Sequence, residues 1–264
     1  MSQRLRIVTI NTGKGDGDYA ARLEVLADGL VALEPDIVVA QEVLEATDGS
    51  RSTRRRLAEA LGMSVAFHAV RRKPRLVDGG TVDSWSGLAT LSRWPVVEVT
   101  ARALPDDPDD GDRAALLVAV EGPRGLVRIA NTHLTHLRHR DDLRVAQAVE
   151  VLADPWWHGD AAARVLAGDL NARAGHTVHT MLRSGAAGWH ALDAFEAAGD
   201  PARSATIRHL AGDEVVEARL DYVYLLAATG ERAALTPSVA RVVLDTPVDG
   251  LLPSDHFGVL VDLV

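Results

Sequence analysis

Six places in the sequence put a polar or charged residue at the end of an apolar run, where a rigid scaffold can hold a reactive group. Asn11 closes Ile7-Val8-Thr9-Ile10 and opens the glycine-rich turn Gly13-Lys14-Gly15-Asp16-Gly17. Gln41-Glu42 closes Ile37-Val38-Val39-Ala40, and a carboxylate there, if buried, must be paired or bound to a cation. In Asn131-Thr132-His133-Leu134, period-two alternation sets Asn131 and His133 on one face with Ile129. In Gly168-Asp169-Leu170-Asn171-Ala172 the same alternation projects Asp169 and Asn171 to one side, an acceptor-only carboxylate beside an amide that both donates and accepts. Such a pair can bind a phosphate or orient a water. Asp221 sits among apolar neighbours in Arg219-Leu220-Asp221-Tyr222-Val223-Tyr224. Ser254-Asp255-His256-Phe257-Gly258 sets Asp beside His, so that one can ligate a metal while the other meets a substrate. Alone, each has a plainer reading: Asn11 as a turn residue, His133 as a satisfied strand histidine. The ordered set is what points to chemistry.

Composition narrows that chemistry. The 264 residues contain no cysteine, which excludes a disulfide framework, a thiolate nucleophile and a Cys-ligated metal, so any metal must sit on oxygen or imidazole and hard cations are favoured. With 28 Lys+Arg against 37 Asp+Glu the net charge is −9, which weighs against gripping nucleic acid by a general surface field. A phosphate-handling protein of this charge needs another device. No apolar run approaches the roughly 18–20 residues that would span a bilayer. The opening Met-Ser-Gln-Arg-Leu-Arg leads into a short mixed strand and not a signal-peptide core. The chain is therefore expected to be soluble and cytoplasmic, with no membrane anchor and no obligate protein partner.

The elements that must position these residues are mostly strands. Short apolar runs predict strands at 6–11, 36–43, 65–70, 87–93, 96–104, 113–121, 126–133, 164–171, 219–225 and 257–263. Three segments repeat at helical spacing: Leu23, Leu26, Leu30 and Leu33; Leu57 and Leu61; and Leu143, Ala146, Val149 and Leu152. Consecutive apolar positions at Ile37 to Ala40 and Val165 to Ala167 suit sheets buried on both faces. Residues 71–86 and 105–112 read as surface loops, the first with a basic start and the second, with five Asp, as a solvated turn. No fixed repeat or long linker divides the chain, so one domain over 1–264 is expected.

Taken together, the motifs resemble the endonuclease/exonuclease/phosphatase superfamily, the DNase I-like metallophosphoesterases. The likeness runs through Thr9-Ile10-Asn11, Gln41-Glu42-Val43, Ser86-Gly87-Leu88-Ala89-Thr90-Leu91-Ser92-Arg93, Asn131-Thr132-His133-Leu134, Gly168-Asp169-Leu170-Asn171-Ala172, Leu220-Asp221-Tyr222 and Ser254-Asp255-His256-Phe257. It implies an α/β (α+β) fold, a four-layered αββα sandwich of two packed mixed β-sheets, with the site where strand ends of both sheets converge. It also implies a divalent cation, Mg²⁺ or Mn²⁺, with Glu42 as leading ligand and Asn11 and Asp255 completing or supporting the site. By the same resemblance Asp169 and Asn171 orient or activate the attacking water and steady phosphoryl oxygens, and His256 donates to a phosphate oxygen or relays a proton while Asp221 fixes its tautomer and raises its basicity. His133 holds the second catalytic histidine's place. Which of His256, His133 and Asp169 is acid or base stays open.

Several residues depart from the commonest pattern. Lys14 follows Asn11 closely and either adds charge near the phosphate or faces solvent as a turn lysine. Thr206, in Ser204-Ala205-Thr206-Ile207, is a candidate phosphate-contacting hydroxyl without the aromatic many members carry beside it. His136 and His139 either line the cleft or are exposed. Trp156-Trp157 reads as core packing and Arg144 as an ion-pairing helix residue. Arg71, Arg72, Lys73 and Arg75 could steer a phosphate substrate, with Trp85 as a stacking partner, or form a solvated hairpin tip. The expected function is hydrolysis of a phosphodiester or phosphomonoester, on a small molecule or on nucleic acid. The alternatives are an Mg²⁺-dependent nuclease acting on DNA or RNA and, from another class, a catalytically silent binding module. The absence of an evident secretion signal or apolar membrane hairpin argues against a sphingomyelin-cleaving enzyme.

Overall fold

The computed structural model describes residues 4–211 and 214–264, so the first residues of the N-terminal reading lie outside it. In chain order the elements are β1 (Leu5–Asn11), α1 (Tyr19–Leu33), β2 (Ile37–Ala46), α2 (Thr53–Leu61), β3 (Ser64–Val77), β4 (Gly80–Ser92), β5 (Val96–Ala103), β6 (Ala114–Gly122) and β7 (Gly125–His133). They continue with α3 (Asp141–Ala153), β8 (Ala163–Asp169), α4 (Thr177–Ser184), β9 (Trp189–Asp193), α5 (Ala194–Ala198), β10 (Ile207–Ala211), β11 (Glu214–Ala218), β12 (Asp221–Ala228), β13 (Pro237–Val243) and β14 (Gly258–Leu263).

Two six-stranded mixed sheets face one another, ordered β13-β14-β1-β2-β4-β3 and β5-β6-β7-β8-β12-β9, and β10 and β11 form a separate ribbon. Each large sheet has one parallel pair at its centre, β1 with β2 and β7 with β8, flanked by antiparallel strands. Each pair is joined through a helix, α1 or α3, because parallel neighbours need a long crossover. The alternation of β1 shows how one sequence feeds two layers. Ile7 packs into the core between the sheets with Ile37, Val39, Leu116, Ile129, Val165, Val223 and Val261, whereas Val8 and Ile10 face the outer layer formed by Leu26 and Leu30 of α1 and Leu57 of α2. On the other flank α3 and α4 cover Leu166 and Tyr224 with Leu152, Val178 and Leu182. Each fully buried side chain of this size contributes about 1.5–3 kcal/mol, so the leucine stripe of α1 suffices to hold it on the sheet. The result is the expected four-layered αββα sandwich.

Helix ends follow their local signals. Asp18 caps α1 by accepting from Ala21 N, Ser52 caps α2 by accepting from Arg55 N, and Gly62 ends α2 in the left-handed region. The Trp156-Trp157 pair packs in the core as expected, the two rings meeting edge to face.

Three expectations require correction. Residues 71–86 are no loop: they are the outer halves of β3 and β4, paired from Arg71↔Ser86 to Val77↔Gly80. The turn residues Asp78 and Gly79 both have positive φ, 48° and 78°, the geometry that matches strand twist in a two-residue hairpin. Strands β9, β10, β11 and β13 and helices α4 and α5 are short or charge-rich, and periodicity did not expose them. Finally, 105–112 is a loop, but Asp110 within it is fully buried, held by Arg113 and His136.

Candidate active site

The topology brings the polar strand ends to one edge of the sandwich. Asn11, Glu42, His133 and Asp169 lie at or near the C-terminal ends of the four parallel strands, and Asp221 and His256 enter at the start of β12 and just ahead of β14, which run antiparallel to them. Carboxyl ends of parallel strands are where open α/β sheets place their ligands. Here two sheets contribute, and a cleft of about 370 Å³ opens between them, lined by Asn11, Glu42, His133, Asp169, Asn171, Asp255 and His256 among others.

Backbone irregularities aim the side chains. Between β2 and β4 the register shifts across Ala40 and Val43, so Gln41 and Glu42 oppose a single residue, and Glu42 adopts φ 55°. This bulge turns the carboxylate into the cleft, where regular alternation would alternate it with its neighbour. Asn171 likewise has φ 48° and lies beyond the end of β8, so strand alternation with Asp169 does not apply to it. Its backbone N–H instead donates to Asp169 Oδ1 at 2.8 Å and its side-chain Nδ2 to Leu134 O at 3.0 Å. Gly168, φ 140°, lets β8 close on β7: a Cβ there would lie 2.0 Å from Thr132 O. Left-handed non-glycine residues concentrated at one site store strain that the surrounding fold sustains.

The hydrogen bonds form one network. Asp169 Oδ2 accepts from Asn11 Nδ2 at 3.0 Å and lies 3.4 Å from His133 Nε2 and 3.8 Å from His256 Nε2. His256 Nδ1 is 2.9 Å from Asp221 Oδ2. His133 Nδ1 stands 4.0 Å from Glu42 Oε1, and Lys14 Nζ is 2.6 Å from that same oxygen. Ser254 Oγ donates to Asn11 O at 2.7 Å and accepts from His256 N at 3.2 Å, tying the last motif to the first. Behind the cleft, Gln41 Nε2 donates to Asn131 Oδ1 at 2.9 Å, and Asn131 Nδ2 bridges to the carbonyls of Ala40 and Ala89. Asn131 is thus a clamp between sheets, and only His133 of that pair reaches the cleft.

Burial sets the protonation states. It pushes His133 well below the ordinary imidazole value, reinforced by the positive charges of Arg113 and Lys14. It also pushes Asp169 up, with the charge of Asp221 adding to the effect. For His256 burial acts downward, but Asp221 and Asp169 outweigh it and hold the imidazole up at about 10. The site therefore presents a neutral and a cationic histidine around one shared carboxylate.

A divalent cation suits this donor set. Asp169, Asp221 and His256 lie within 4.8 Å of one another, yet the His256–Asp221 hydrogen bond occupies the imidazole nitrogen nearest Asp221, so that nitrogen is not free to ligate a metal. Glu42 already has a cationic partner in Lys14. Among the described residues Asn11 Oδ1 accepts only from Gly13 N, and the exposed Asp255 lines the cleft. Glu42, Asn11 and Asp255 are all oxygen donors, the kind Mg²⁺ prefers.

Of the expected site residues, Asn11, Glu42, His133, Asp169, Asn171, Asp255 and His256 line the cleft, and Asp221 stands directly behind His256. Thr206 does not. Its hydroxyl is fully buried and accepts from the backbone N–H groups of Leu220 and Asp221 at 3.0 and 3.2 Å, so it positions Asp221 instead of meeting phosphate. Lys14 is no free turn lysine, since it pairs with Glu42. His136 lines the cleft, pairing with Asp110, while Arg144 is buried and donates to Leu137 O at 2.7 Å. Arg113 went unnoticed in the sequence. Its guanidinium is bidentate to Asp110 and donates to His133 O at 3.3 Å, forming one wall. The signal available was an Arg opening the strand beside an acidic loop.

No helix among the described residues is long and apolar enough to cross a membrane. Comparisons with known proteins agree with the architecture. Solved structures with similar folds include an endonuclease/exonuclease/phosphatase from Beutenbergia cavernae DSM 12333, 26% identical, TM-score 0.76, with 98% of this chain and 71% of that one covered. D. rerio TDP2 complexed with a single-strand DNA product is 20% identical with TM-score 0.74 and full coverage of both chains. A family protein from Leptotrichia buccalis C-1013-b is 14% identical with TM-score 0.73, covering 98% and 99%. Among curated proteins none matches by sequence. The pattern of the Endonuclease/Exonuclease/phosphatase family matches residues 8–256, nearly the whole chain and every strand end of the cleft, and the chain belongs to that family.

Proposed function

We propose that the chain is a divalent-metal-dependent phosphoesterase that hydrolyses a phosphodiester or phosphomonoester by in-line attack of water. The observation that carries this reading is the convergence of His133 and His256 on Asp169 in one cleft, with Glu42 beside His133 and Asp221 fixing His256 from behind. Glu42, Asn11 and Asp255 would hold Mg²⁺ or Mn²⁺, which when bound supplies positive charge against the charge that grows on the phosphoryl oxygens.

The chain's own residues supply the rest. Asp169, immobilised by Asn11 and Asn171, accepts a proton from the attacking water or passes it to a histidine. His256, kept protonated by Asp221, donates to a non-bridging oxygen. His133, neutral in the resting site, has Nε2 3.4 Å from Asp169 Oδ2, so it takes the proton that Asp169 receives from water and then delivers it to the leaving oxygen, with Arg113 braced on its carbonyl.

A nuclease reading of the same site has one specific support, the likeness of fold to TDP2 bound to a single-strand DNA product. A silent binding module is disfavoured, because a degenerate site would be expected to lose one of Glu42, Asp169, Asn171, Asp255 or His256, and all are present. The test is turnover of aryl phosphodiesters and phosphomonoesters, then nucleic acids and inositol phosphates, with and without EDTA. EDTA-sensitive hydrolysis is expected, and no turnover across the panel would favour the silent module.

A further inference from the structure

The hairpin arm of β3 and β4 carries charge that the chemistry above does not use. From Arg71 the period of two sends Arg71, Lys73 and Arg75 toward the cleft, which all three line, while Arg72 faces away and pairs with Asp83 at 2.6 Å. Among the described residues none of the three inward cations makes a salt bridge, although most arginines near them do. Arg71 Nη1 donates to the main-chain carbonyl of Asp110 at 2.7 Å. Arg75 is 8% exposed and its guanidinium folds back along the arm. Its nitrogens donate to the carbonyls of Arg71, Lys73 and Ser84 and to Ser84 Oγ, and Nε has no partner.

A buried guanidinium whose hydrogen bonds all go to neutral acceptors has its charge offset only at a distance, here by Glu42 and Asp16, an arrangement that costs stability unless an anion arrives. Burial and the charges of Arg71 and Arg75 also depress the Lys73 ammonium, a sign of mutual repulsion along the strip. The chain has only two lysines, Lys14 and Lys73, and both line this cleft despite a net charge of −9. The same lining holds the carboxylates of Asp16, Glu42, Asp110, Asp112, Asp169 and Asp255, so the excess of positive charge belongs to the strip of Arg71, Lys73 and Arg75 and not to the whole cleft.

A single phosphate does not account for it. In the proposed scheme the group under attack is already met by His256 and by the cation that Glu42 would hold. We infer that Arg71, Lys73 and Arg75 form a second anion subsite, which binds a phosphate of the substrate other than the one hydrolysed. This rests on the phosphoesterase reading and names its substrate class: a phosphate ester bearing a second phosphate, either the next phosphodiester of an oligonucleotide or a second group on a small molecule.

Two matched pairs of substrates separate these sources. One is the p-nitrophenyl 5′-phosphodiester of thymidine with and without a 3′-phosphate, the other the p-nitrophenyl phosphodiester of propane-1,3-diol with and without a terminal phosphate. The second phosphate is expected to raise kcat/KM about tenfold or more, chiefly through KM, as close charge pairs do in a partly buried site. A gain in the thymidine pair alone identifies a nucleic-acid source, and a gain in both pairs a small-molecule one. In the Arg71→Ser/Lys73→Ser variant, both exposed positions, the gain should shrink toward one, and Arg75→Met should act likewise if it folds.

Equal kcat/KM within each pair, or a gain untouched by the double variant, overturns the subsite while leaving the phosphoesterase reading intact. If no substrate is turned over, that reading fails instead. Inorganic phosphate binding in EDTA, followed by calorimetry, then judges the strip alone: binding that the double variant weakens supports it, and equal or no binding rejects it.

Discussion

Asp221 Oδ2 stands 2.9 Å from His256 Nδ1 across the two sheets, one residue opening β12 and the other leading into β14. The pair is a stitch between layers as well as part of the proposed catalytic site. Thr206 holds the Asp221 backbone through its hydroxyl, and the chain around His256 bridges to Ile207, so the stitch is braced from both sides.

Asp221→Asn keeps the shape of that contact but removes the charge that holds His256 protonated. We expect kcat to fall about 10–100-fold, the usual cost of losing a carboxylate partner to a working histidine, with KM and the near-UV circular dichroism little changed. A kcat within threefold of the native value would remove Asp221 from the relay.

Glu42 is the leading metal ligand in the proposed scheme, so Glu42→Gln should weaken Mn²⁺ binding, measured by electron paramagnetic resonance, and lower turnover by about 10³-fold. EDTA should abolish native activity and Mg²⁺ or Mn²⁺ restore it. Native metal affinity in the variant would be incompatible with the assignment.

Lys14 makes a contrasting prediction. Its ammonium lies 2.6 Å from Glu42 Oε1 and competes with any cation for that oxygen. Unit charges 4 Å apart near a protein surface interact by about 4 kcal/mol, of which displacement of Lys14 to another acceptor recovers most. Lys14→Met should therefore tighten Mn²⁺ binding about tenfold by the same titration, while a weaker or equal affinity would show that Lys14 does not oppose the metal.

Much of this site was legible because strand ends are local. Glu42 and Asp169 each follow an unbroken apolar run, and no long-range knowledge is needed to see that a carboxylate there requires a partner. Buried strands were legible for the same reason, through consecutive apolar residues in β1, β2 and β8, while their arrangement as two packed sheets came from the family resemblance. What failed depended on contacts distant in sequence. Thr206 reads as a phosphate-contacting hydroxyl until the backbone of Leu220 and Asp221 is seen to claim it. The β3–β4 arm is charge-rich on both faces, so its pattern resembles a loop, and only backbone pairing with Ser84 to Ser86 makes it a strand. Asp110 looks like one of five solvated acids, and it is buried because Arg113 and His136 close over it.

Gly168 permits the close approach of β8 to β7 that brings Asp169 beside His133. With φ 140° and a Cβ that would lie 2.0 Å from Thr132 O, Gly168→Ala must separate the strands. The expected cost is about 3 kcal/mol or more, in the range of backbone strain and overpacking, read as a lower urea midpoint. Activity should fall beyond the loss of folded protein, because His133 and Asp169 are register partners. Unaltered stability would mean that the backbone relaxes freely there.

His179 links pH to stability. It is fully buried in α4, where Nε2 donates to Ala172 O at 3.0 Å and Nδ1 accepts from Tyr224 Oη at 2.7 Å. Both nitrogens are satisfied in the neutral ring, and burial holds its pKa down at about 4. The unfolded chain, with an imidazole near 6.5, binds the proton more readily than the fold does. The contribution of this group is therefore complete above about pH 6.5 and lost as pH falls toward about 4, up to about 3 kcal/mol at 1.36 kcal/mol per unit. Urea midpoints measured between those limits should drop with acidification in the native protein and drop less in His179→Gln, which keeps a donor and an acceptor but cannot charge. Because Ala172 O also accepts from Tyr222 Oη and follows Asn171 directly, protonation of His179 should loosen the turn that carries Asn171. Parallel acid sensitivity in native and variant proteins would place that loss on other groups.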